Sequence, residues 1–389
     1  MRIASVECHI LVAPDLKTNA TSSSQDDVVV IVTTDSGIFG VGEADTGPWL
    51  VKAAIEAPGS HTMALGIKDL IIGMDPFDTS AIWEKVYTYT AMSGRRGAVI
   101  CAMGAIDMAL WDIKGKALNL PVYKLMGGAH KDHIVPYASL LPNGETLKGY
   151  KNSLVDWAVK AKQYGFRAAK LECIISGAYY HGGLRGSDED MTEIITACRE
   201  AVGFDFDLMV DVGYLWQDAK SCLRTIRKWE NLEIYFLETP LQIDNLEGYA
   251  ILAKETDIRI AAGEWQNTRF EFLDLMDRGQ IDVAQPDIGR VGGLTEAMRV
   301  AHLAQDRGKL IVPHCWKTGI GIAASAHLAA AIPNCPFIEF LPAELCESVL
   351  RRELVQDPLV MKEGKLLLPD KPGLGIELNF EAIEKYSVK

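Results

Sequence analysis

Short apolar runs alternate with longer amphipathic segments from about residue 132 onward. The longer segments have helical spacing, as in Leu294 to Arg307, which stops before Gly308. This alternation is typical of parallel strands joined by crossover helices, and eight such units in about 220 residues match a closed (β/α) barrel. An open doubly wound sheet is the alternative, although no G-x-G-x-x-G motif follows a strand. The eight predicted strands are residues 134–138, 168–171, 208–211, 235–238, 260–263, 282–285, 310–313 and 337–339.

The N-terminal part of the chain has a different pattern. Strand-like runs separated by turn residues predict a small antiparallel sheet at residues 3–13, 27–34 and 38–43. Gly97 to Leu118 has one apolar helical face, which predicts a helix that packs on this sheet. The polar stretch Lys17 to Gln25, between the first two strands, predicts a surface loop, and its part around Thr18 to Ser24 is a candidate lid.

Length and composition agree with more than one domain. The chain has 389 residues and is 48% hydrophobic, which is ample for a large core. The tail contains two prolines near residue 370 and does not continue the strand–helix alternation. We therefore predict a modified, TIM-like α/β fold with an N-terminal α+β domain at 1–128, a barrel at 129–356 and a C-terminal segment at 357–389 that returns to the N-terminal domain.

Charge and cysteine usage exclude several classes of protein. The net charge is −13 and no run of Lys or Arg offers a basic stripe, so nucleic acid is not an expected partner. No eighteen apolar residues follow one another, so we expect no membrane span and a cytoplasmic protein. The eight cysteines are scattered without a C-x-x-C pair. Cys315 follows His314, but neighbours on a strand face opposite ways, so we expect packing rather than a nucleophile there.

Three acidic residues end consecutive predicted strands. Asp211, Glu238 and Glu264 each terminate an apolar run, and the carboxyl ends of barrel strands converge on one mouth. Any one of these acids alone could instead be a helix N-cap with no role in chemistry. Three together would repel one another unless a hard cation were present, and an all-oxygen set suits Mg²⁺ better than Zn²⁺. The sequence therefore predicts one Mg²⁺ site.

The remaining strand ends supply residues for acid–base chemistry. Asp287 and His314 end the sixth and seventh strands, and a carboxylate on one imidazole nitrogen would make the other a better base. Lys170 and Glu172 share one face of the second strand, although a salt-bridged surface pair is the alternative. Glu339 on the eighth strand could donate a hydrogen bond if protonated, or hold the substrate.

This set of residues resembles the mandelate racemase-like subgroup of the enolase superfamily over essentially the whole chain. The resemblance implies that Mg²⁺ grips a substrate carboxylate, that the Asp–His dyad moves protons, and that Lys170 faces the carboxylate or the reacting carbon. It also implies that Glu339 bonds a carboxylate oxygen and that the N-terminal domain caps the barrel and selects the substrate. Use of a Lys or His base with Mg²⁺ is a general property of that superfamily. The predicted substrate-binding residues are Glu172, Trp49 and Trp316.

Two departures from the family pattern affect the predicted reaction. Glu172 stands where many relatives have a second lysine that acts as a base, and Gly213 stands where relatives often have Asn or His. With His314 as the base and no second lysine, we predict dehydration of an aldonate or aldarate to a 2-keto-3-deoxy acid by a homo-oligomeric enzyme. A racemase, epimerase or cycloisomerase that uses Lys170 as second base is the rival, and a binding protein on a degenerate barrel is the alternative outside enzymes.

Overall fold

The computed structural model describes residues 1–17, 25–141, 144–180, 184–341 and 348–388. The N-terminal strands form an antiparallel sheet in the order β1-β2-β3. Helix α4 lies so close to the sheet that a Cβ on Gly40 or Gly42 would be 2.0 Å from a backbone oxygen of α4, which explains both glycines. The predicted lid at 18–24 lies outside the described residues. The elements are β1 (Ile3–Val12), β2 (Asp26–Thr34), β3 (Phe39–Glu43), α1 (Pro48–Glu56), α2 (Ile67–Ile71), α3 (Thr79–Tyr89), α4 (Ala98–Leu118) and α5 (Val122–Leu125).

Eight parallel strands then form the curled sheet of a (β/α) barrel. They are β5 (Pro136–Leu140), β6 (Ala168–Glu172), β7 (Asp207–Asp211), β8 (Ile234–Glu238), β9 (Arg259–Ala262), β10 (Val283–Ala284), β11 (Leu310–Ile311) and β12 (Ile338–Phe340). Neighbours in the sheet follow chain order from β5 to β11, and β12 pairs with β5. This pairing excludes the open doubly wound sheet. No ladder joins β11 to β12 among the residues described, so the sheet has a seam there.

The first predicted strand, 134–138, is in fact two strands that belong to different sheets. β4 (His133–Ile134) pairs with the C-terminal β14 (Lys365–Leu367), whereas β5 pairs with β6 in the barrel. The other seven predicted strands match observed strands to within a few residues at each end. The chain therefore enters the barrel at Val135, between two short strands that periodicity alone reads as one.

Helices cover the outside of the barrel. They are α6 (Leu147–Gln163), α7 (Asp188–Val202), α8 (Ala219–Ile226), α9 (Leu246–Glu255), α10 (Thr268–Asp277), α11 (Ile288–Val291), α12 (Leu294–Asp306), α13 (Gly319–Ala331) and α14 (Val349–Glu353), with a 3₁₀ turn at Arg227–Leu232. Amphipathic helices such as α7, which begins at a Ser187 capping box, place their apolar faces against the strands. None of the described helices combines the length and apolar character needed to cross a bilayer.

The C-terminal segment returns to the N-terminal domain and completes it. It contains β13 (Met361–Lys362), β14 and α15 (Phe380–Tyr386). The backbone N–H of Leu374 donates to Asp112 of α4 at 2.9 Å, and that of Val388 donates to Ile10 of β1 at 2.9 Å. The domain boundaries at 128 and 356 stay predictions, since these contacts fix no exact division of the chain.

Two carboxylates of the N-terminal domain cap helices of the barrel. Glu43, at the end of β3, accepts the N–H groups of Thr318 and Gly321 at the start of α13, at 3.1 and 2.7 Å. Asp107 of α4 accepts the N–H of Thr295 in the first turn of α12 at 2.8 Å. Helix N-termini of a barrel lie at the carboxyl ends of the strands and attract negative charge. The two caps therefore hold the N-terminal domain over the barrel mouth.

His327 gives the folded protein a predictable dependence on pH. It lies fully buried in α13, and its Nδ1 accepts the backbone N–H of Tyr123 at 3.1 Å. Burial lowers the pKa of His327 from 6.5 to about 4, so the unfolded chain binds this proton first as the pH falls. The stability that the neutral imidazole gives is complete above pH 6.5 and is lost towards pH 4. We expect the free energy of unfolding to fall by about 2 kcal/mol, because of this residue, when the pH is lowered from 7.5 to 5.

Urea unfolding at the two pH values measures this contribution. The His327→Gln variant should lose less stability on acidification than the wild type, whereas the exposed His302→Gln variant should keep the wild-type dependence. Equal pH dependence in all three proteins would show that His327 does not carry the effect.

Candidate active site

The site is the layer of side chains directly above the packed interior of the barrel. The interior is filled by Tyr137, Ala168, Met209, Phe236, Ala261, Val283, Val312 and Phe337. Side chains two positions further along a strand face the same way, one layer nearer the carboxyl-end opening. That step converts an apolar layer into a polar one formed by Lys170, Asp211, Glu238, Gln285, His314 and Glu339. All but Asp211 of these six are buried.

Two of the three acids predicted to bind metal, Asp211 and Glu238, belong to this layer, and the third, Glu264, lies beside it after the next strand. Asp211 pairs with Glu238 across β7 and β8, and Glu264 follows β9. Asp211 Oδ1 accepts the N–H of Gly213 at 2.9 Å and the hydroxyl of Thr239 at 2.7 Å. Burial, together with the charges of Asp211, Glu339 and Glu264, raises the pKa of Glu238 to about 8 against the lowering effect of Lys170. The ligand atoms of the three acids do not all lie within 4.8 Å of one another, but an all-oxygen set of acids on adjoining strands is the kind of group that a divalent cation such as Mg²⁺ prefers.

Lys170 is held between two carboxylates. Its Nζ lies 2.6 Å from Glu238 and 2.9 Å from Glu339, and the side chain is 3% exposed. Burial alone would lower the pKa of Lys170, but the two carboxylates raise it well above its ordinary value. Lys170 is therefore a fixed positive charge, and this arrangement does not suit it to act as a base.

Glu339 is surrounded by groups that favour its ionised form. Burial alone would raise its pKa, but Lys170 and His314 lower it to about 2. It also accepts the backbone N–H of Cys315 at 2.8 Å. In this arrangement its oxygens act as acceptors, and a hydrogen bond from a protonated Glu339 to a substrate stays a prediction.

Asp287 and His314 form the predicted dyad. His314 Nδ1 lies 2.6 Å from Asp287 Oδ2, while Asp287 Oδ1 accepts the N–H of Gly289 at 2.7 Å. The other imidazole nitrogen, Nε2, lies 3.1 Å from Glu264. Burial alone would lower the pKa of His314, but Glu339, Asp287 and Glu264 raise it to about 9. Neutralising Glu264 would bring this pKa down towards the range of a general base.

A second group of possible metal ligands surrounds the dyad. Ligand atoms of Asp45, Asp287 and His314 all lie within 4.8 Å of one another, and they are the one such group among the described residues. Asp45, however, binds the guanidinium of Arg290 at 2.6 Å and lies 3.6 Å from Lys317 Nζ. Arg290 and Lys317 already neutralise the charge of Asp45. The group of Asp45, Asp287 and His314 is therefore a poorer cation site than the group of Asp211, Glu238 and Glu264.

Asp45, Arg290 and Lys317 are site residues that the sequence did not reveal. Arg290 donates through Nε to the carbonyl of Asp45 at 2.9 Å and contacts the carbonyl of Glu264 at 3.2 Å. Lys317 is 3% exposed and binds Asp26 at 2.8 Å. The ion pairs join residues about 245 to 290 positions apart, so local spacing gives no signal for them. They connect the N-terminal domain to the dyad.

A cavity of about 640 Å³ opens above these groups. Glu172 and Trp316, both predicted to bind substrate, line it, as do Asp211, Glu264 and His314. Trp49 does not line this cavity and its side chain is 54% exposed. The structure therefore brings Glu172 and Trp316 to the predicted chemistry but leaves Trp49 outside it.

The described cysteines have no reactive role in the site, although Cys101 is among the residues that line the cavity. All seven are buried free thiols, and Cys346 lies outside the described residues. Burial raises the pKa of Cys315 well above its ordinary value. These properties suit packing and do not suit a nucleophile.

Comparison with known proteins identifies the family. Residues 4–127 match the family "Mandelate racemase / muconate lactonizing enzyme, N-terminal domain", and residues 153–383 match "Enolase C-terminal domain-like". The chain is 32% identical to an arabinonate dehydratase of Saccharolobus solfataricus, over 83% of this chain and 82% of that protein. It is 30% identical to a D-galactarolactone cycloisomerase of Agrobacterium fabrum, over 99% of both chains.

The fold agrees with these sequence matches. The crystal structure of the 3,6-anhydro-D-galactonate cycloisomerase from Zobellia galactanivorans superimposes with a TM-score of 0.86 and 31% identity, covering 100% of both chains. Both the N-terminal and the barrel parts of the chain are therefore accounted for by one family. The chain belongs to the mandelate racemase and muconate lactonizing enzyme group of the enolase superfamily.

Proposed function

We propose that the protein is a Mg²⁺-dependent dehydratase of sugar acids. The observation that carries the proposal is the His314–Asp287 pair, whose second imidazole nitrogen lies 3.1 Å from Glu264 in the cavity that Asp211 also lines. Relatives named as dehydratases of arabinonate, D-xylonate and D-galactonate support this reaction class. Asp211, Glu238 and Glu264 would hold the ion.

Lys170, His314 and Asp287 have different roles in the removal of the proton beside the substrate carboxylate. A proton beside a carboxylate is very weakly acidic, because its removal places a second negative charge next to the first. Bound Mg²⁺ would supply Lewis-acid charge to offset this negative charge. Lys170 adds a preorganised positive charge in a buried layer, where it costs no reorganisation. Neutral His314 then removes the proton at Nε2, while Asp287 holds the opposite nitrogen.

Elimination completes the reaction without a second base. The carbon–hydrogen bonding electrons form a double bond, the β-carbon–oxygen bond breaks, and protonated His314 returns its proton to the departing hydroxyl. Water leaves, and the resulting enol becomes the 2-keto-3-deoxy acid. Lys170 stays protonated between Glu238 and Glu339, so it does not supply the opposite-face base that a two-base epimerase requires.

A cycloisomerase of a carboxylate substrate is the second candidate. The relative from Agrobacterium fabrum, named a D-galactarolactone cycloisomerase, aligns over 99% of both chains and favours it. A cycloisomerase would consume a lactone or another cyclic acid without releasing water. Mass spectrometry of the product therefore separates the two reactions, because only dehydration lowers the mass by one water.

A substrate screen tests the proposal. The purified protein is incubated with a panel of aldonates and aldarates in Mg²⁺, and 2-keto-3-deoxy acids are detected with semicarbazide. We expect a keto acid from at least one sugar acid, loss of turnover in EDTA, and recovery when Mg²⁺ is restored. Epimers without keto acid, or turnover that persists under the chelator, would contradict the proposal. A homo-oligomeric state and a cytoplasmic location stay predictions from the sequence.

A further inference from the structure

Three aromatic rings form one wall of the active-site cavity. Tyr214 and Trp265 stack with ring centroids 4.2 Å apart, and the ring of Tyr179 meets Trp265 edge-on at 5.1 Å. All three line the cavity that also contains Asp211 and His314. We call Tyr179, Tyr214 and Trp265 the aromatic wall.

The aromatic wall is rigidly built at its centre. Tyr214 has a φ of 59°, in the left-handed region that non-glycine residues rarely adopt. Its N–H donates to the carbonyl of Thr239 at 2.6 Å, and its carbonyl accepts from the side chain of Gln242 at 3.0 Å. These bonds from the loop after β8 hold Tyr214 in place at a cost in backbone strain, which is common at functional sites.

The hydroxyl of Tyr214 is a buried polar group within the aromatic wall. The side chain is 2% exposed, and its hydroxyl makes no hydrogen bond of normal geometry with the described residues. The carboxylate of Glu264 lies close to this hydroxyl, but not in normal hydrogen-bond geometry. A buried hydroxyl with so poorly aligned a partner is incompletely satisfied, and a hydroxyl group on a bound molecule would complete its hydrogen bonding.

Tyr214, at the centre of the aromatic wall, follows a strand on the opposite side of the barrel from the base. It follows β7, the third barrel strand, and His314 follows β11, the seventh, so three strands lie between them, and Trp265 follows β9, the middle one of the three. A substrate held near Asp211 and Glu264 would therefore have the imidazole on one side and the aromatic rings on the other. Ring faces carry partial negative charge and pack well against the C–H face of a carbon chain.

The buried cations that line the cavity are already paired. Lys170 binds Glu238 and Glu339, while Arg290 and Lys317 contact Asp45. Lys17 also lines the cavity, but it is exposed at the rim, where an ion pair contributes little. The segments outside the described residues contain neither Lys nor Arg, apart from the terminal Lys389. The lining also includes the acids Asp26, Asp45, Glu172, Asp211 and Glu264.

We propose, as a refinement that rests on the dehydratase function, that this cavity selects a sugar acid with a single carboxylate. The uncharged, hydroxylated end of the molecule packs along the aromatic wall, and the Tyr214 hydroxyl bonds one of its hydroxyl groups. A second carboxylate there would lose its hydration against aromatic rings and paired acids without gaining a buried cation. Aldonates are thus favoured over aldarates.

Matched pairs of substrates test this selection. Each pair is an aldonate and the aldarate of the same configuration, which differ only in a terminal CH₂OH or carboxylate. With the Mg²⁺-loaded protein, we expect kcat/KM and calorimetric affinity to favour the aldonate at least about tenfold. Tyr214→Phe should weaken aldonate binding about three- to tenfold, as for one lost hydrogen bond. An aldarate bound as tightly as its aldonate partner by the wild type would overturn the inference.

Two further variants separate the wall from the rim. Tyr179 is 40% exposed, so Tyr179→Lys should fold, and its new cation should improve aldarate relative to aldonate binding about two- to fivefold. Lys17→Ala should leave the ratio unchanged, and a ratio that depends on Lys17 would contradict the proposal. Binding that discriminates between the two acids while neither yields a keto acid would count against the dehydratase function and not against the selection.

Discussion

The His314→Asn variant is expected to lose roughly 10²- to 10⁴-fold in kcat on the sugar acid that the wild type dehydrates. Asparagine approximates the shape of the imidazole near Asp287 but accepts no proton at neutral pH. The Nδ1 to Asp287 bond of 2.6 Å and the Nε2 to Glu264 contact of 3.1 Å place His314 between the orienting acid and the metal group. Initial rates at saturating substrate and Mg²⁺ measure the effect.

Two controls make this result specific to the dyad. Mg²⁺ affinity and the urea midpoint of His314→Asn should stay near the wild-type values, since the three proposed ligands are untouched. His302→Asn carries the same chemical change on the exposed face of α12 and should keep full activity. If His314→Asn turned over at the wild-type rate, His314 would be removed from the mechanism.

The Asp211→Asn variant is expected to weaken Mg²⁺ binding by at least about 100-fold, because loss of even an outer-sphere partner of a metal costs about 10- to 100-fold. Asp211 borders the cavity, and its Oδ1 is positioned by Gly213 and Thr239, so the amide should fit the same space without the charge. Isothermal calorimetry with Mg²⁺ measures the affinity, and activity should fall in parallel.

Asp207→Asn is the matched control for this change. Asp207 begins the strand that Asp211 ends, so the two variants alter the same strand at opposite ends of the barrel. The control should bind Mg²⁺ like the wild type. Equal affinities of Asp211→Asn and the wild type would show that Asp211 is not a ligand.

The polar layer was accessible to sequence reasoning because strand geometry has a period of two. Asp211 lies two residues after Met209, and His314 lies two residues after Val312, so each faces the same way as its buried neighbour. An acid or base at the end of an apolar strand therefore predicts a functional group that faces the inside of the barrel. The (β/α) barrel and the grouping of these side chains at its mouth follow from this regularity, whereas the enolase-type assignment rests on the family resemblance. Where two strands of different sheets adjoin, as on either side of Val135, the same period gives one strand in place of two.

Contacts between distant parts of the chain were not accessible in the same way. Glu43 and Asp107 resemble ordinary acids in the sequence, yet each caps a helix of the barrel. Arg290 lies three residues after Asp287, so in the sequence it looks like an ordinary residue in the first turn of a helix. Its ion-pair partner, Asp45, belongs to the other domain. Such roles depend on how the domains dock, which neither propensity nor spacing encodes. The protonation state of Glu339 likewise depends on Lys170 and His314, which reach it from other strands.

A crystal structure of the protein with Mg²⁺ and a slowly turned-over sugar acid tests the central claim most directly. We expect one ion bound by oxygens of Asp211, Glu238 and Glu264, with the carbon beside the substrate carboxylate about 3 to 3.5 Å from His314 Nε2. An ion bound instead by Asp45, Asp287 and His314 would occupy the imidazole that the mechanism needs as a base, and would contradict the account.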